Sequence, residues 1–97
     1  MVSVVIKKST NLKKKLMAVF TYEDGKTKTI HFGAAGMSDY TKNNGDPERK
    51  KAYLERHRKN ENWLKYDSAG ALSRWILWDK TSLKDSINSY KKRFNLK

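Results

Sequence analysis

Cysteine is absent from this sequence, which removes disulfides, thiolate metal sites and cysteine nucleophiles and fits an intracellular protein. Long apolar runs are absent as well. The opening VSVVI is shorter than a secretory apolar region or a membrane span requires and no later stretch exceeds it, so a soluble chain without membrane insertion is expected. Histidine occurs only at His31 and His57, neither beside a nucleophile motif, and no Asp, Glu or His cluster has metal-ligand spacing. No catalytic residue, metal or cofactor is therefore expected, and the chain is not read as an enzyme. Acidic residues are the other scarcity: ten against 22 Lys and Arg give a formal charge of +12. Solubility of a small domain asks for only about 2 to 8 charges.

What is present is a basic surface spread along the whole chain. Residues 1–32 carry seven basic and two acidic side chains, residues 33–60 seven and four, and residues 61–97 eight and four. The excess is thus not a tail added to a neutral domain, and a polyanion is the expected partner. The 97 residues suffice for one core and one domain, 1–97.

Periodicity divides that domain. Residues 2–8, 15–22 and 26–32 alternate, with Val2, Val4 and Ile6, then Leu16, Ala18, Phe20 and Tyr22, then Ile30 and Phe32 on one face. Asp24-Gly25 supplies a tight turn between the second and third strands, and Ser9-Thr10-Asn11 turns the first into the second. A three-stranded antiparallel meander over 1–32 is predicted, then a loop over 33–45 and a helical part over 46–97. Asp46-Pro47-Glu48 caps and starts a first helix, running to about residue 60. A second, Ala69 to Trp78 behind Ser68, is apolar nearly all round and is the expected centre of the core. A third starts at Thr81-Ser82, with Asp85 in a capping-box position, and docks through Leu83, Ile87, Tyr90 and Phe94. The fold class is α+β, with the three helices packed on one face of the sheet.

The first helix carries a conflict. Steps of about 100° put Arg49, Arg56 and His57 in the sector of Ala52 and Tyr53, shared by Trp63 and Leu64 if the helix continues that far. Charges then point inward, either to hold carboxylates and carbonyls, with Asp39 the obvious partner, or to line a concave anion site facing a phosphate. Lys50, Lys51, Arg58 and Lys59 on the same helix, Lys91, Lys92 and Arg93 on the third, and Lys13, Lys14 and Lys15 before the second strand are the candidate phosphate contacts.

HFG-AAG-MSDYT, D-PERKKAYLERH, ENW and AGALSRWILWDK-TSLKDSINSYKKRF, spanning about residues 31–94, resemble a family of small basic proteins encoded by large cytoplasmic DNA viruses, the marseillevirus group included. The resemblance implies a compact domain of largely unassigned activity, located in the virion, in a viral factory of the host cytoplasm or in the nucleus. It implies no catalytic residues. The spacer Asn43-Asn44-Gly45 is longer than the family pattern, so a site spanning that loop is expected to differ in shape.

HFGAAGMSDYT itself, residues 31–41, contains no Lys or Arg. Gly33-Ala34-Ala35-Gly36 has the spacing of a backbone-clamping GxxG but follows a strand instead of joining two helices, and the stretch lacks a P-loop lysine. It reads as a packed corner in which Ser38 and Asp39 satisfy turn amides and Tyr40 caps the core. With Trp63, Trp75 and Trp78 expected in the core, ring surfaces for single strands are scarce, so sequence-independent binding of duplex DNA is the expected function. The alternative is a virion module that bridges acidic capsid or host proteins, including as a homodimer paired through a sheet edge.

Overall fold

A computed structural model of the protein describes residues 1–36, 39–41 and 45–97. Strands β1 (Ser3–Lys8), β2 (Lys14–Thr21) and β3 (Thr27–Ala34) form an antiparallel sheet in the order β1-β2-β3, and three helical segments follow, giving the expected α+β fold. At the β2-β3 turn Gly25 adopts φ +84°, while Tyr22 N–H donates to the Lys26 carbonyl at 2.9 Å. At the β1-β2 turn the Ser9 hydroxyl accepts from the Asn11 N–H at 3.0 Å. The register sets Val4 opposite Phe20, Ile6 opposite Ala18 and Leu16 opposite Phe32, so the apolar positions share one face. β3 runs two residues beyond its predicted end because Gly33 at φ +79° carries the strand past Leu77, whose Cδ1 would lie 2.7 Å from any Cβ there.

The helices cover that face. α1 (Pro47–His57) begins as predicted, with the Asp46 carboxylate accepting from the Glu48 and Arg49 amides. It stops three residues short of its predicted end: Arg58 N–H closes the last turn on the Leu54 carbonyl, and Asn60 N–H folds back to the His57 carbonyl. Trp63 and Leu64 therefore do not continue the sector of Tyr53. Leu64 is 80% exposed and Ala52 is exposed as well, leaving Tyr53 as the buried side chain of α1.

α2 (Ala69–Leu72) is capped by Ser68, whose hydroxyl accepts from the Ala71 N–H at 3.2 Å. The predicted single helix to residue 78 changes gauge after one turn: Ser73–Leu77 is a π-segment, closed by Trp78 N–H to the Ser73 carbonyl at 3.1 Å. The wider turn lets Ile76, Leu77 and Trp78 be buried in succession, together with Ala71 and Leu72, so this segment is indeed the centre of the core. Each fully buried Leu or Ile side chain there contributes about 1.5–3 kcal/mol. Of the three tryptophans expected inside, Trp78 alone is buried; Trp63 and Trp75 are half-buried, their indole N–H groups donating to Glu61 and to the Trp63 carbonyl, and Trp75 packs against the core.

α3 (Leu83–Arg93) starts at Ser82, whose hydroxyl accepts from the Asp85 N–H. Tyr90 is fully buried and donates to the Tyr66 carbonyl at 2.7 Å, whereas Leu83 at the head of the predicted stripe is 37% exposed. Ser86 adds a buried polar anchor, its hydroxyl accepting from the Lys80 N–H at 3.1 Å.

The stretch without lysine is a docked corner where it is described. Gly36 takes φ +82°, Asp39 is 2% exposed, and Tyr40 N–H donates to the Leu77 carbonyl at 3.0 Å, fixing the loop to the end of the π-segment. Ser38 and the spacer residues Asn43 and Asn44 lie outside the described residues. Lys97 pairs with the β1 edge in both directions, its carbonyl accepting from Val4 N–H and its N–H donating to the Val2 carbonyl, so that part of the edge is closed to a second chain.

Candidate nucleic-acid interface

Between the ends of β2 and β3, one side of α1 and the start of α2 lies a cleft of about 600 Å³. Lys14 and Lys15 reach it from the sheet, Arg49, Arg56 and His57 from α1. All three residues of the candidate anion site thus line one concavity, joined by two of the candidate phosphate contacts from a segment more than thirty residues away in sequence. Four permanent positive charges face two carboxylates, Asp39 and Glu61. The floor is aromatic: Tyr53 stacks on Trp78 at 4.5 Å between centroids with 7° between planes, and His57 stacks on Tyr53 at 4.3 Å and 26°.

The two carboxylates are held differently. Asp39 is enclosed and receives the Lys15 ammonium, whose own side chain is only 10% exposed, together with the Thr41 N–H and hydroxyl. Burial pushes the Asp39 carboxyl up, but the hydrogen bonds from Lys15 and Thr41 outweigh it and hold the group below the ordinary aspartate range. Lys15, predicted as a phosphate contact, is therefore tied into the fold as the partner of Asp39. Arg49 lies 3.9 Å from the Asp46 carboxylate through its Nε and is 63% exposed.

Glu61 bridges two rings, accepting from the Trp63 indole at 3.0 Å and meeting His57 Nδ1 at 3.1 Å. It lies flat against Gly70, where a Cβ would come within 3.0–3.2 Å of its side-chain carbons, so a bare backbone at the first turn of α2 is what admits this carboxylate to the cleft.

The remaining predicted contacts fall into two groups. Lys51, Arg58 and Lys59 are exposed on or just after α1, Lys92 and Arg93 on α3, and Lys13 on the turn before β2; Lys91 is half-buried. Lys51 and Arg58 border a shallower hollow of about 430 Å³ on the other side of α1. Lys50 lines the same hollow, but its ammonium donates to the Asp79 carbonyl at 2.8 Å and lies 4.6 Å from the centre of the Tyr40 ring. Burial, reinforced by the nearby Arg74, pushes the Lys50 ammonium down.

Arg74, which sequence reasoning passed over, is the centre of a second basic cluster. Its guanidinium stacks 4.2 Å from the Trp75 ring centre and 5.5 Å from that of Trp63, and Nη1 donates to the Trp78 carbonyl at 3.1 Å and lies 3.8 Å from Asp79. Arg93 adds a second guanidinium at 3.8 Å from the Trp75 ring. Nothing in the spacing of Arg74 marks it, because its partners come from the segment before α2, the residues after it and the end of α3.

The N-terminal part of the chain matches a family model described as a family of unknown function (DUF5754) over residues 4–57, more than half of the sequence, and the chain belongs to that family. The matched span carries the sheet, the corner and α1, hence all five basic residues of the cleft. No curated protein and no solved structure matches the chain.

Proposed function

We propose that this DUF5754 member is a nucleic-acid-binding protein that contacts the phosphates of duplex DNA without reading base sequence. The observation that carries the reading is the convergence of Lys14, Arg49, Arg56 and His57 on one concave surface of a chain whose formal charge is +12. Concave walls of low dielectric focus the field of such charges, and guanidinium forks match phosphate oxygens. Outside the cleft, Lys51 and Arg58 add positive charge on the other side of α1, Lys59 just after it, and Lys92 and Arg93 on α3. Lys15 and Lys50 are left out of the footprint because Asp39 and the Asp79 carbonyl hold their ammonium groups. The sequence resemblance to small basic proteins of large cytoplasmic DNA viruses supports a site of action in the virion or the viral factory.

The test is a titration into random-sequence duplex DNA, with a single-stranded control, at several salt concentrations. Micromolar or tighter binding is expected, with log K falling against log salt at about 0.9 per phosphate neutralised. No binding at low salt overturns the reading and assigns the charge to an acidic protein partner.

A further inference from the structure

We infer that the cleft is a nucleotide site: it takes one nucleoside phosphate, the base extending the ring pile at His57 and the phosphate held by Arg56 and Lys14. The inference rests on the proposed polyanion binding and gives this concavity a narrower ligand than the surface around it.

Shape is the first argument. A volume of about 600 Å³ lies inside the range of about 300–1,000 Å³ usual for small-molecule sites. A duplex presents its phosphates on the outside of a rod far wider than such a cleft, so it can engage the cations at the mouth and still leave interior space for a smaller ligand. A single planar base with its phosphate fits within.

The lining is the second argument. Phosphate contact by itself calls for cations on an open surface, as Lys51, Arg58 and Lys59 already provide. This cleft adds the pile Trp78, Tyr53, His57, whose inner members are 9% and 6% exposed while the His57 side chain is 40% exposed. A pile that begins in the core and ends in a half-exposed ring is a platform on which a further ring can stack, and stacking tolerates any base. Glu61 steadies that last ring through Nδ1 at 3.1 Å and is itself anchored by the Trp63 indole, so His57 is pre-oriented before a ligand arrives. Apolar contacts come from Ala34, Ala52 and Leu77. The charges of the lining agree: with Lys15 paired to Asp39, Arg56 and Lys14 line the cleft beside one further carboxylate, Glu61.

The ligand chemistry has two sources, a free nucleotide and an unpaired or terminal nucleotide of a strand. The experiment is an NMR titration of the full chain with dAMP, deoxyadenosine, inorganic phosphate and a 5′-phosphorylated single-stranded oligonucleotide. dAMP is expected to bind at least tenfold more tightly than inorganic phosphate, with shifts centred on Tyr53, His57, Ala69 and Gly70. His57→Ala is expected to weaken dAMP about tenfold and leave phosphate unchanged, His57→Phe to restore dAMP, and Arg56→Gln to weaken both. Tighter binding of the oligonucleotide than of dAMP identifies a strand as the source; equal binding identifies the free nucleotide.

dAMP no tighter than phosphate, or shifts outside the cleft, overturns the nucleotide site. If duplex binding persists under that result, the nucleotide site alone fails; if duplex binding is missing too, the proposed function fails with it.

Discussion

Two basic places in this protein, the cleft beside α1 and the enclosed site of Arg74 against Trp63 and Trp75, both hold guanidinium groups and are opposite in what those charges do. At the enclosed site, Arg74 is 13% exposed in its side chain, lies against two indoles and donates to the Trp78 carbonyl, and Asp79 stands beside it. In the cleft, the Lys15–Asp39 pair is internal, while Lys14 and Arg56 remain at the surface. A count of lysines and arginines cannot separate the two. What separates them is the partner each cation has inside the fold: a cation over a ring and a carbonyl holds helices together, whereas an exposed cation in a concave wall is available to an anion from outside.

Removing Lys15 tests that distinction where the effect is largest. Lys15→Ala takes the Lys15 ammonium away from the buried Asp39 carboxylate, which should cost about 3–5 kcal/mol, a large share of the stability of a domain this small. Thermal unfolding measures it. The pH dependence carries a second signature. Because the folded carboxyl is held below its ordinary value, its stabilisation is present above the unfolded aspartate value of about 3.9 and is lost as pH falls through the lower folded value. The wild-type melting temperature should therefore drop below about pH 4, and Lys15→Ala should flatten that part of the profile. An unchanged melting temperature would move Lys15 back among the free cations of the cleft.

Gly33→Ala attacks the wall of the same cleft. It forces a Cβ into φ +79° and toward Leu77, at an expected cost of about 1–3 kcal/mol seen in urea unfolding. Arg74→Ala comes next, at about 1–2 kcal/mol. The variant loses the carbonyl hydrogen bond and the stacking on Trp75, but part of that loss is offset because Nε is enclosed and, among the described residues, has no hydrogen-bond partner. Its salt-dependent DNA binding should be unchanged, since a guanidinium engaged inside the fold neutralises no phosphate. A shallower salt slope for Arg74→Ala would erase the contrast between the two regions.

Local chemistry explains which features were legible in the sequence. Asp24-Gly25, Asp46-Pro47, Ser68 and Ser82 each act on amides within a few residues, and the sheet face follows from alternation, so the meander, the helix starts and the grouping of Arg49, Arg56 and His57 on one side of α1 could be read along the chain, although both arginines are exposed and not turned inward. Partners brought from afar could not. Lys15 and Asp39 are 24 positions apart, and Lys50 meets a carbonyl 29 positions away, so both lysines looked like any other surface cation. The end of α1 was hidden because Trp63 and Leu64 sit at helical spacing, yet Trp63 is claimed by Glu61. The change to a π-segment at Ser73 had no signal, since it is set by the burial of three consecutive apolar residues against neighbours that the sequence does not place.

The smallest expected change in stability belongs to the variant that should alter binding most cleanly. Lys51, Arg58 and Lys59 are exposed, so replacing all three by Ala should leave the melting temperature nearly unchanged, each substitution lying within about 0.5 kcal/mol. If each neutralises one phosphate, the slope of log K against log salt should fall by about 0.9 per residue, equally for unrelated duplex sequences. Affinity for dAMP should be unaffected, because none of the three lines the cleft. A reduced slope with intact nucleotide binding would divide the protein into an outer surface that holds the strand and an inner site that holds one unit of it. An unchanged slope would instead move the footprint off this end of α1, toward Lys13 before β2 and Lys92 and Arg93 on α3, which are also exposed outside the cleft.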